Sequence, residues 1–214
     1  MAHPVLLLTG MTPYSRIYAR LFPAIPAASI VSWIKPLSRE SIPSYAARLA
    51  ITVDISTSPV VCGVSFGGIV ARELAWQLKA KACVLISSIR SPNELPPWLR
   101  ALRPFAGSRS ESVLNLLGRF AGTVPYRVRS DSTARLTKLA GSGGAWHRWA
   151  SSSVLRWNPS ERVEQVPVVQ IHGSRDATFP LRYVHPDLVI PGGGHEIALT
   201  HAAKVVSCIG QLAA

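Results

Sequence analysis

The chain has 214 residues, of which 48% are hydrophobic and 16% are charged, so it can build a sizeable core and is too apolar for an extended disordered protein. This length fits one domain with room for an insertion and argues against two large domains. The three cysteines are scattered and contain no C-x-x-C pair. That pattern excludes a disulfide scaffold or a structural zinc site and suits a reducing compartment.

The N-terminal segment and the charge indicate a cytoplasmic protein with a bias toward anionic partners. The apolar run Val5 to Leu8 is too short for a signal peptide and has no basic lead, and no run approaches the roughly 18 residues of a membrane span. The net charge of +12 attracts nucleic acid, acidic lipid or phosphorylated substrates. Residues 90–162 hold +8 of it, with 12 basic and 4 acidic side chains.

Short apolar runs that stop at turn residues predict strands, in chain order at 5–8, 29–34, 60–64, 82–86, 166–171 and 188–190. Between them, helical patterns predict helices at 12–21, 42–50, 66–78 and 198–212. Strands that alternate with helices of this length form right-handed βαβ units. The sequence therefore predicts an α/β fold with a mostly parallel sheet of about six strands and helices on both faces.

The alternation stops after Ile89 and returns at Val166. The segment between is rich in Arg and Ser, and its helical patterns fall at 111–120, 132–139 and 145–157. We therefore assign residues 1–90 and 163–214 to one core and residues 91–162 to a helical insertion between two strands of its sheet.

The sequence Gly63-Val64-Ser65-Phe66-Gly67 matches G-x-S-x-G at the point where a predicted strand ends and a predicted helix begins. A turn this tight holds its serine in a strained backbone conformation, and the glycines allow close backbone approach. The strand-to-helix context is the one that a nucleophilic serine requires. The alternative is a tight structural turn with an unreactive serine.

Ser65 would need a general base and an acid that orients the base. Asp176 comes shortly after the predicted strand 166–171, and His195 follows the strand 188–190 through a glycine-rich loop. Both side chains can therefore reach the carboxyl edge of the sheet, where Ser65 lies. Asp54 and Asp187 precede strands and should lie at the opposite edge. Asp131 is in the insertion.

At this point the chain resembles the α/β-hydrolase superfamily, in particular small bacterial serine hydrolases and esterases with a helical cap. The resemblance covers nearly the whole chain and rests on Thr9-Gly10-Met11, the Ser65 turn, the segment I-H-G-S-R-D-A-T-F-P ending at Pro180, and G-G-G-H ending at His195. The order nucleophile, acid, base is the order of this superfamily. The resemblance implies that residues 91–162 form the cap. The chain departs from the family's pattern in two ways. Its first strand corresponds to the family's third strand, and Thr9-Gly10 stands where the family more often has His-Gly.

Ester hydrolysis also needs two donors for the oxyanion. The backbone N–H of Phe66 is one candidate, and the loop after the first strand offers the N–H of Met11, with Gly10 allowing a close approach. For Met11, packing is the alternative. His172 is expected to order the acid loop by hydrogen bonding.

Trp146, Trp149 and Trp157 recur at helical spacing in the insertion. They are candidates for the wall of an apolar acyl pocket, and packing between cap and sheet is the equal alternative.

The sequence thus favours a serine hydrolase that acts on a small-molecule carboxylic ester, with Ser65, His195 and Asp176 as catalytic triad and no metal or organic cofactor. A thioesterase or acyltransferase acting on an anionic acyl-CoA or carrier-protein substrate is the nearest alternative, motivated by the basic insertion. A non-catalytic binding protein on a hydrolase scaffold ranks lower. No nucleic-acid motif accompanies the positive charge, so no nucleic-acid partner is expected.

Overall fold

The computed structural model describes residues 2–12, 15–55, 57–105 and 145–214. The helices predicted at 111–120 and 132–139 lie outside the described residues. The boundaries of the predicted insertion, 91–162, therefore stay a prediction.

Six strands form the sheet, and their bounds are β1 Val5–Leu8, β2 Ala28–Ile30, β3 Val60–Val64, β4 Ala82–Ile86, β5 Val168–Gly173 and β6 Leu188–Ile190. Their order is β2-β1-β3-β4-β5-β6, and each neighbouring pair is parallel. This confirms the predicted parallel sheet of about six strands. The central strands β1, β3 and β4 are buried along their whole length, which explains why they read as unbroken apolar runs.

The α-helices of the described residues are α1 Ile42–Ile51, α2 Phe66–Gln77, α3 Pro97–Ala101, α4 Ala145–Arg156, α5 Ile197–Thr200 and α6 Ala202–Ala213. Consecutive residues of β1 contribute to two separate hydrophobic clusters, because successive side chains of a strand point to opposite faces. One cluster joins the sheet to α1, α2 and α4, and the other joins it to α5 and α6. No helix in the described ranges is both long and apolar enough to cross a membrane.

The helix predicted at 12–21 is wrong. Among its described residues this segment contains one short 3₁₀ helix, Ser15–Tyr18, and a second, Phe22–Ala24, follows it. Tyr18 and Leu21 are fully buried, and the Tyr18 hydroxyl donates to the Leu8 carbonyl at 2.6 Å. Tertiary contacts therefore determine the path of this segment and override its local helix propensity.

Two strand predictions need their bounds corrected. The strand predicted at 29–34 is confined to Ala28–Ile30, and its last register partner on β1 is Leu7. The strand predicted at 166–171 begins two residues later, after Pro167, which has no N–H to contribute to a ladder. The final predicted helix, 198–212, is divided at His201 into α5 and α6.

Candidate active site

Ser65 occupies the turn between β3 and α2 with φ 54° and ψ −122°, a conformation that is unfavourable for a residue with a side chain. This is the strained turn that the G-x-S-x-G pattern predicts. Three hydrogen bonds hold it in place: Ser65 N–H donates to the Ile86 carbonyl at 3.0 Å, and the Ser65 carbonyl accepts from Gly68 N–H at 2.9 Å and from the Ser88 hydroxyl at 2.6 Å. The surrounding structure therefore fixes Ser65 at the carboxyl end of the sheet.

Gly67 allows the end of β1 to lie against the start of α2. A Cβ atom at Gly67 would overlap the carbonyl oxygens of Leu8 and Thr9. Gly10 is less constrained, since a Cβ there would meet Val64 O at 3.7 Å and Ser65 Cβ at 3.8 Å, which is ordinary contact. The segment Thr9 to Met11 thus runs directly beside Ser65, although Gly10 itself is not required for the approach.

The structure brings Asp176 and His195 together. Nδ1 of His195 lies 2.8 Å from Oδ2 of Asp176. Because a carboxylate only accepts, the His195 proton is on Nδ1, and Nε2 is left as the acceptor that a general base needs. Asp176 is 4% exposed, while the side chain of His195 is 26% exposed. The acid is therefore sheltered, and the imidazole reaches the surface of the site.

Asp176 is held as a carboxylate. Its Oδ1 accepts from the backbone N–H groups of Thr178 at 2.8 Å and Phe179 at 3.0 Å. Burial alone would raise the pKa of Asp176, but the hydrogen bond from His195, the positive charge that His195 can carry and the Phe179 N–H together lower that pKa below its ordinary value. A negative charge facing His195 orients the imidazole.

His172 is a second imidazole beside Asp176. It is fully buried, with Nε2 2.7 Å from the Phe179 carbonyl and 3.3 Å from Oδ2 of Asp176. Burial lowers the pKa of His172, so the ring is neutral at pH 7. Since a carbonyl only accepts, the single ring proton is on Nε2, and it orders the turn that carries Asp176. These contacts agree with the role expected of His172.

The loops that carry Asp176 and His195 are joined by backbone contacts. Arg175 N–H donates to the Gly193 carbonyl at 2.8 Å, and Ser174 N–H donates to the Ile190 carbonyl at 3.0 Å. A Cβ at Gly173 would overlap the carbonyl oxygen of Gly193, so the two loops meet only because residue 173 has no side chain. This close approach sets the distance between the acid and the base.

Met11 and Phe66, the residues proposed from the sequence as oxyanion donors, lie on the two segments that flank Ser65. Phe66 is the first residue of α2, where backbone N–H groups have no partner within the helix. Met11 follows Gly10, at which a Cβ atom would lie 3.8 Å from the Cβ of Ser65. The Met11 carbonyl accepts from the indole N–H of Trp146 at 2.7 Å. No pattern in the sequence indicated this bond, which joins a side chain to the backbone across 135 positions.

Five aromatic rings, one of which is Phe66, form a cluster. Ring centroids lie 4.5 to 6.2 Å apart for its contacts, and the members are Trp33, Tyr45, Phe66, Trp146 and Trp149. We call this set the aromatic cluster. It joins α4 of the insertion to α1 and to the start of α2.

The three tryptophans of the insertion differ in their surroundings. Trp149 is 6% exposed and its indole N–H donates to the Glu40 carbonyl at 2.9 Å. Trp157 is 1% exposed and donates to the buried Glu73 carboxylate of α2 at 3.0 Å. These contacts favour the packing alternative for Trp149 and Trp157. Trp146 is partly exposed and remains the one of the three that can face a substrate.

A buried polar chain behind Ser65 was not anticipated from the sequence. The Ser88 hydroxyl donates to the Ser65 carbonyl, the Ser88 carbonyl accepts from Gln170 Nε2 at 2.8 Å, and the same Nε2 donates to Glu94 at 3.0 Å. The available signal was the position of Ser88, two residues beyond the end of β4, the strand that pairs with β3. These hydrogen bonds support the Ser65 turn through the Ser65 backbone carbonyl.

Of the competing acids, Asp187 is engaged with other partners. Asp187 pairs with Arg90 and accepts from Gln170 N–H at 2.7 Å, Asp54 is exposed, and Asp131 lies outside the described residues. Within the parts of the chain that the structure describes, no group of three His, Cys, Asp or Glu residues is placed to hold a metal ion.

Comparison with known proteins gives one family and a common fold. A family model described as the alpha/beta hydrolase family matches residues 12–207. ClbQ from the colibactin NRPS/PKS pathway superposes with a TM-score of 0.66 at 14% identity, over 99% of this chain and 97% of ClbQ. A thermophilic esterase gives a TM-score of 0.65 at 16% identity, over 97% of this chain and 88% of the esterase. An epoxide hydrolase from Bacillus megaterium gives 0.65 at 13% identity, over 99% and 93%. No curated protein matches the chain in sequence.

Proposed function

The chain belongs to the alpha/beta hydrolase family, and from that membership we propose that it is a serine hydrolase that cleaves carboxylic esters through an acyl-enzyme on Ser65. The observation that carries the proposal is the 2.8 Å contact between Nδ1 of His195 and Oδ2 of Asp176. That contact fixes the tautomer of His195 that leaves Nε2 free to accept a proton, at the same sheet edge as a serine in the strained turn of a nucleophile.

In the proposed reaction, Ser65 Oγ attacks the ester carbonyl carbon while its proton passes to His195 Nε2. The carbonyl oxygen becomes negative and is stabilised by the N–H groups of Phe66 and Met11. The alcohol leaves with the proton from Nε2, and the acyl group stays on Ser65. Water then attacks the acyl-enzyme, again giving its proton to Nε2, and the acid product departs as Ser65 recovers its proton. Asp176 holds the imidazole throughout and stabilises its charged form.

A thioesterase or acyltransferase that acts on an acyl-CoA or a carrier-protein substrate is a second candidate, because the chain carries a net charge of +12 and two thirds of that charge falls within residues 90–162. Such substrates are anionic, and attraction between exposed opposite charges weakens as salt is added. This candidate shares the acyl-enzyme chemistry with the ester hydrolase and differs in the leaving group.

The deciding experiment compares the wild-type protein with Ser65→Ala on chromogenic esters of increasing acyl length and on CoA thioesters. We expect Ser65→Ala to lose about 10⁴-fold or more in kcat and to lose covalent labelling by a fluorophosphonate. Ser58→Ala, an exposed serine remote in the fold, is the matched control. Full turnover by Ser65→Ala would refute the proposal.

Salt separates the two candidates. A thioesterase should lose kcat/KM on CoA thioesters steeply with rising salt, while its turnover of neutral esters barely changes. An ester hydrolase should show low, salt-independent turnover of the thioesters. Salt-sensitive binding of anionic ligands by a protein whose Ser65 does not react would instead favour the non-catalytic scaffold.

A further inference from the structure

Helix α4 of the insertion contacts Met11 through two side chains. The indole N–H of Trp146 donates to the Met11 carbonyl at 2.7 Å, and the Ser151 hydroxyl lies 3.5 Å from the Met11 sulfur. Both contacts reach across more than 130 positions of the sequence. A helix that lies far from Ser65 in the chain thus touches Met11, whose backbone N–H is one of the two proposed oxyanion donors.

Met11 needs such an anchor because of the residue before it. Thr9 is held, since its hydroxyl accepts from the indole N–H of Trp33 at 2.8 Å. Gly10 has no side chain and therefore more backbone freedom than any other residue type. The backbone on the Thr9 side therefore leaves the direction of the Met11 N–H free to vary. On the other side, the hydrogen bond from Trp146 holds the Met11 carbonyl and so restricts the backbone of Met11.

Trp146 itself packs against two other rings of the aromatic cluster. Its ring centroid lies 5.2 Å from that of Trp33 and 6.0 Å from that of Phe66. Trp33 binds Thr9 on one side of Gly10, and Phe66 supplies the other proposed oxyanion donor. The Trp146 indole therefore contacts Trp33 and Phe66 and donates a hydrogen bond to the Met11 carbonyl.

We propose that Trp146 is a positioning residue that acts through Met11: its indole N–H holds the Met11 carbonyl so that the Met11 N–H faces the oxyanion. This inference rests on the proposed function. It makes the seating of α4 on the core a condition for full catalytic rate. The alternative, a wall of the acyl pocket, predicts a different kinetic signature.

Trp149 provides a matched control. It lies on the same helix and in the same aromatic cluster, and its indole N–H also donates to a backbone carbonyl, that of Glu40, at 2.9 Å. No contact of Trp149 involves Met11 or Thr9 among the described hydrogen bonds. Trp146→Phe and Trp149→Phe therefore remove the same chemical group from two members of the same aromatic cluster.

We expect Trp146→Phe to lower kcat about 10- to 100-fold with little change in KM, because a misdirected donor is lost in the transition state alone. The loss should be the same for acetyl and for longer acyl esters. Trp149→Phe should keep kcat within about twofold of the wild type. Its loss of thermal stability should be about the same as that of Trp146→Phe. A pocket wall would instead change KM, and the change would vary with acyl length.

A second substitution keeps the test sharp if the phenylalanine variant does not fold. Benzothienylalanine introduced at position 146 retains the bicyclic ring and replaces the N–H with sulfur, so packing is preserved and only the donor is lost. It should show the same loss of kcat as Trp146→Phe.

Three outcomes overturn the inference: unchanged kcat in the position-146 variants, an equal loss in Trp149→Phe, or an effect confined to KM. Ser65→Ala, measured in parallel, distinguishes a failure of the role of Trp146 from a failure of the proposed function. If Ser65→Ala is inactive and the position-146 variants match the wild type, only the role of Trp146 fails. If Ser65→Ala retains full activity, the proposed function fails and the role of Trp146 fails with it.

Discussion

His172 and His195 share one oxygen of Asp176: Nε2 of His172 lies 3.3 Å, and Nδ1 of His195 2.8 Å, from Oδ2 of that carboxylate. The two imidazoles differ in burial, since the side chain of His172 is fully enclosed and that of His195 is partly exposed. The enclosed ring supports the acid, and the exposed ring is free to exchange a proton with a substrate. This arrangement gives two experimentally separable roles to two histidines.

Replacing His172 should destabilise the acid turn. His172→Leu removes the donor to the Phe179 carbonyl and leaves that buried oxygen unpaired, which costs about 1–3 kcal/mol of unfolding free energy. His172→Gln retains a donor and should lose less. Urea unfolding of both variants measures the difference. Equal stability of His172→Leu and the wild type would contradict the assigned hydrogen bond.

Stability should fall on acidification. Burial lowers the pKa of His172 below the 6.5 of the unfolded chain, so the unfolded state binds a proton first as the pH falls, and the free energy of unfolding decreases below about pH 6.5. Asp176, whose pKa is also lowered overall, adds a loss of the same sign at more acidic pH, below its ordinary value of 3.8.

Urea unfolding between about pH 5 and pH 7.5 tests the histidine contribution. The wild-type protein should lose more stability over this range than His172→Gln, which has no titratable side chain at position 172. An identical pH dependence in the two proteins would show that His172 does not carry the effect.

Two glycines beside Ser65 should respond differently to alanine. A Cβ at Gly67 would overlap the backbone of Thr9, so Gly67→Ala forces β1 and α2 apart and should abolish fluorophosphonate labelling of Ser65. Gly10→Ala places its methyl group at ordinary contact distance and should change the unfolding free energy by less than about 1 kcal/mol. Thermal melts and labelling of both variants check this contrast, which a failure of Gly10→Ala to fold would refute.

Ser88 should matter for rate as well as for stability. Ser88→Ala removes the hydroxyl that donates to the Ser65 carbonyl and should lower kcat about tenfold by loosening the strained turn. Ser153→Ala is the control, since Ser153 is equally buried and its hydroxyl donates to the Ala150 carbonyl at 2.9 Å, within helix α4. Steady-state kinetics on one short ester compares the two. A similar kcat in both variants would leave Ser88 with no role in placing Ser65.

The sequence predicted those features that depend on local pattern. The change from apolar run to helical spacing at Ser65 predicted the end of β3 and the start of α2, and the His-Gly pair predicted that His172 orders the acid turn. The catalytic roles of Ser65, Asp176 and His195 stay predictions that the kinetics above would test.

Features that depend on distant partners were not predictable. The path of residues 15–24 follows from the burial of Tyr18 and from its bond to Leu8, which local propensity does not encode. The same is true of the bond from Trp146 to Met11, since helical spacing identified the apolar face of α4 and gave no indication of which carbonyl an indole on that face would meet.

Helix α2 connects the Ser65 turn with the end of the predicted insertion, although the two are far apart in the sequence. It begins directly after Ser65, and farther along it the buried Glu73 accepts from the Trp157 indole, the Ser160 N–H and the Ser160 hydroxyl, while Arg72 pairs with Glu164. Excising the insertion back to residue 162 would strip an enclosed carboxylate of these donors, at a cost of several kcal/mol. A shortened variant that keeps these contacts would have to retain residues 157–164 and delete residues before them.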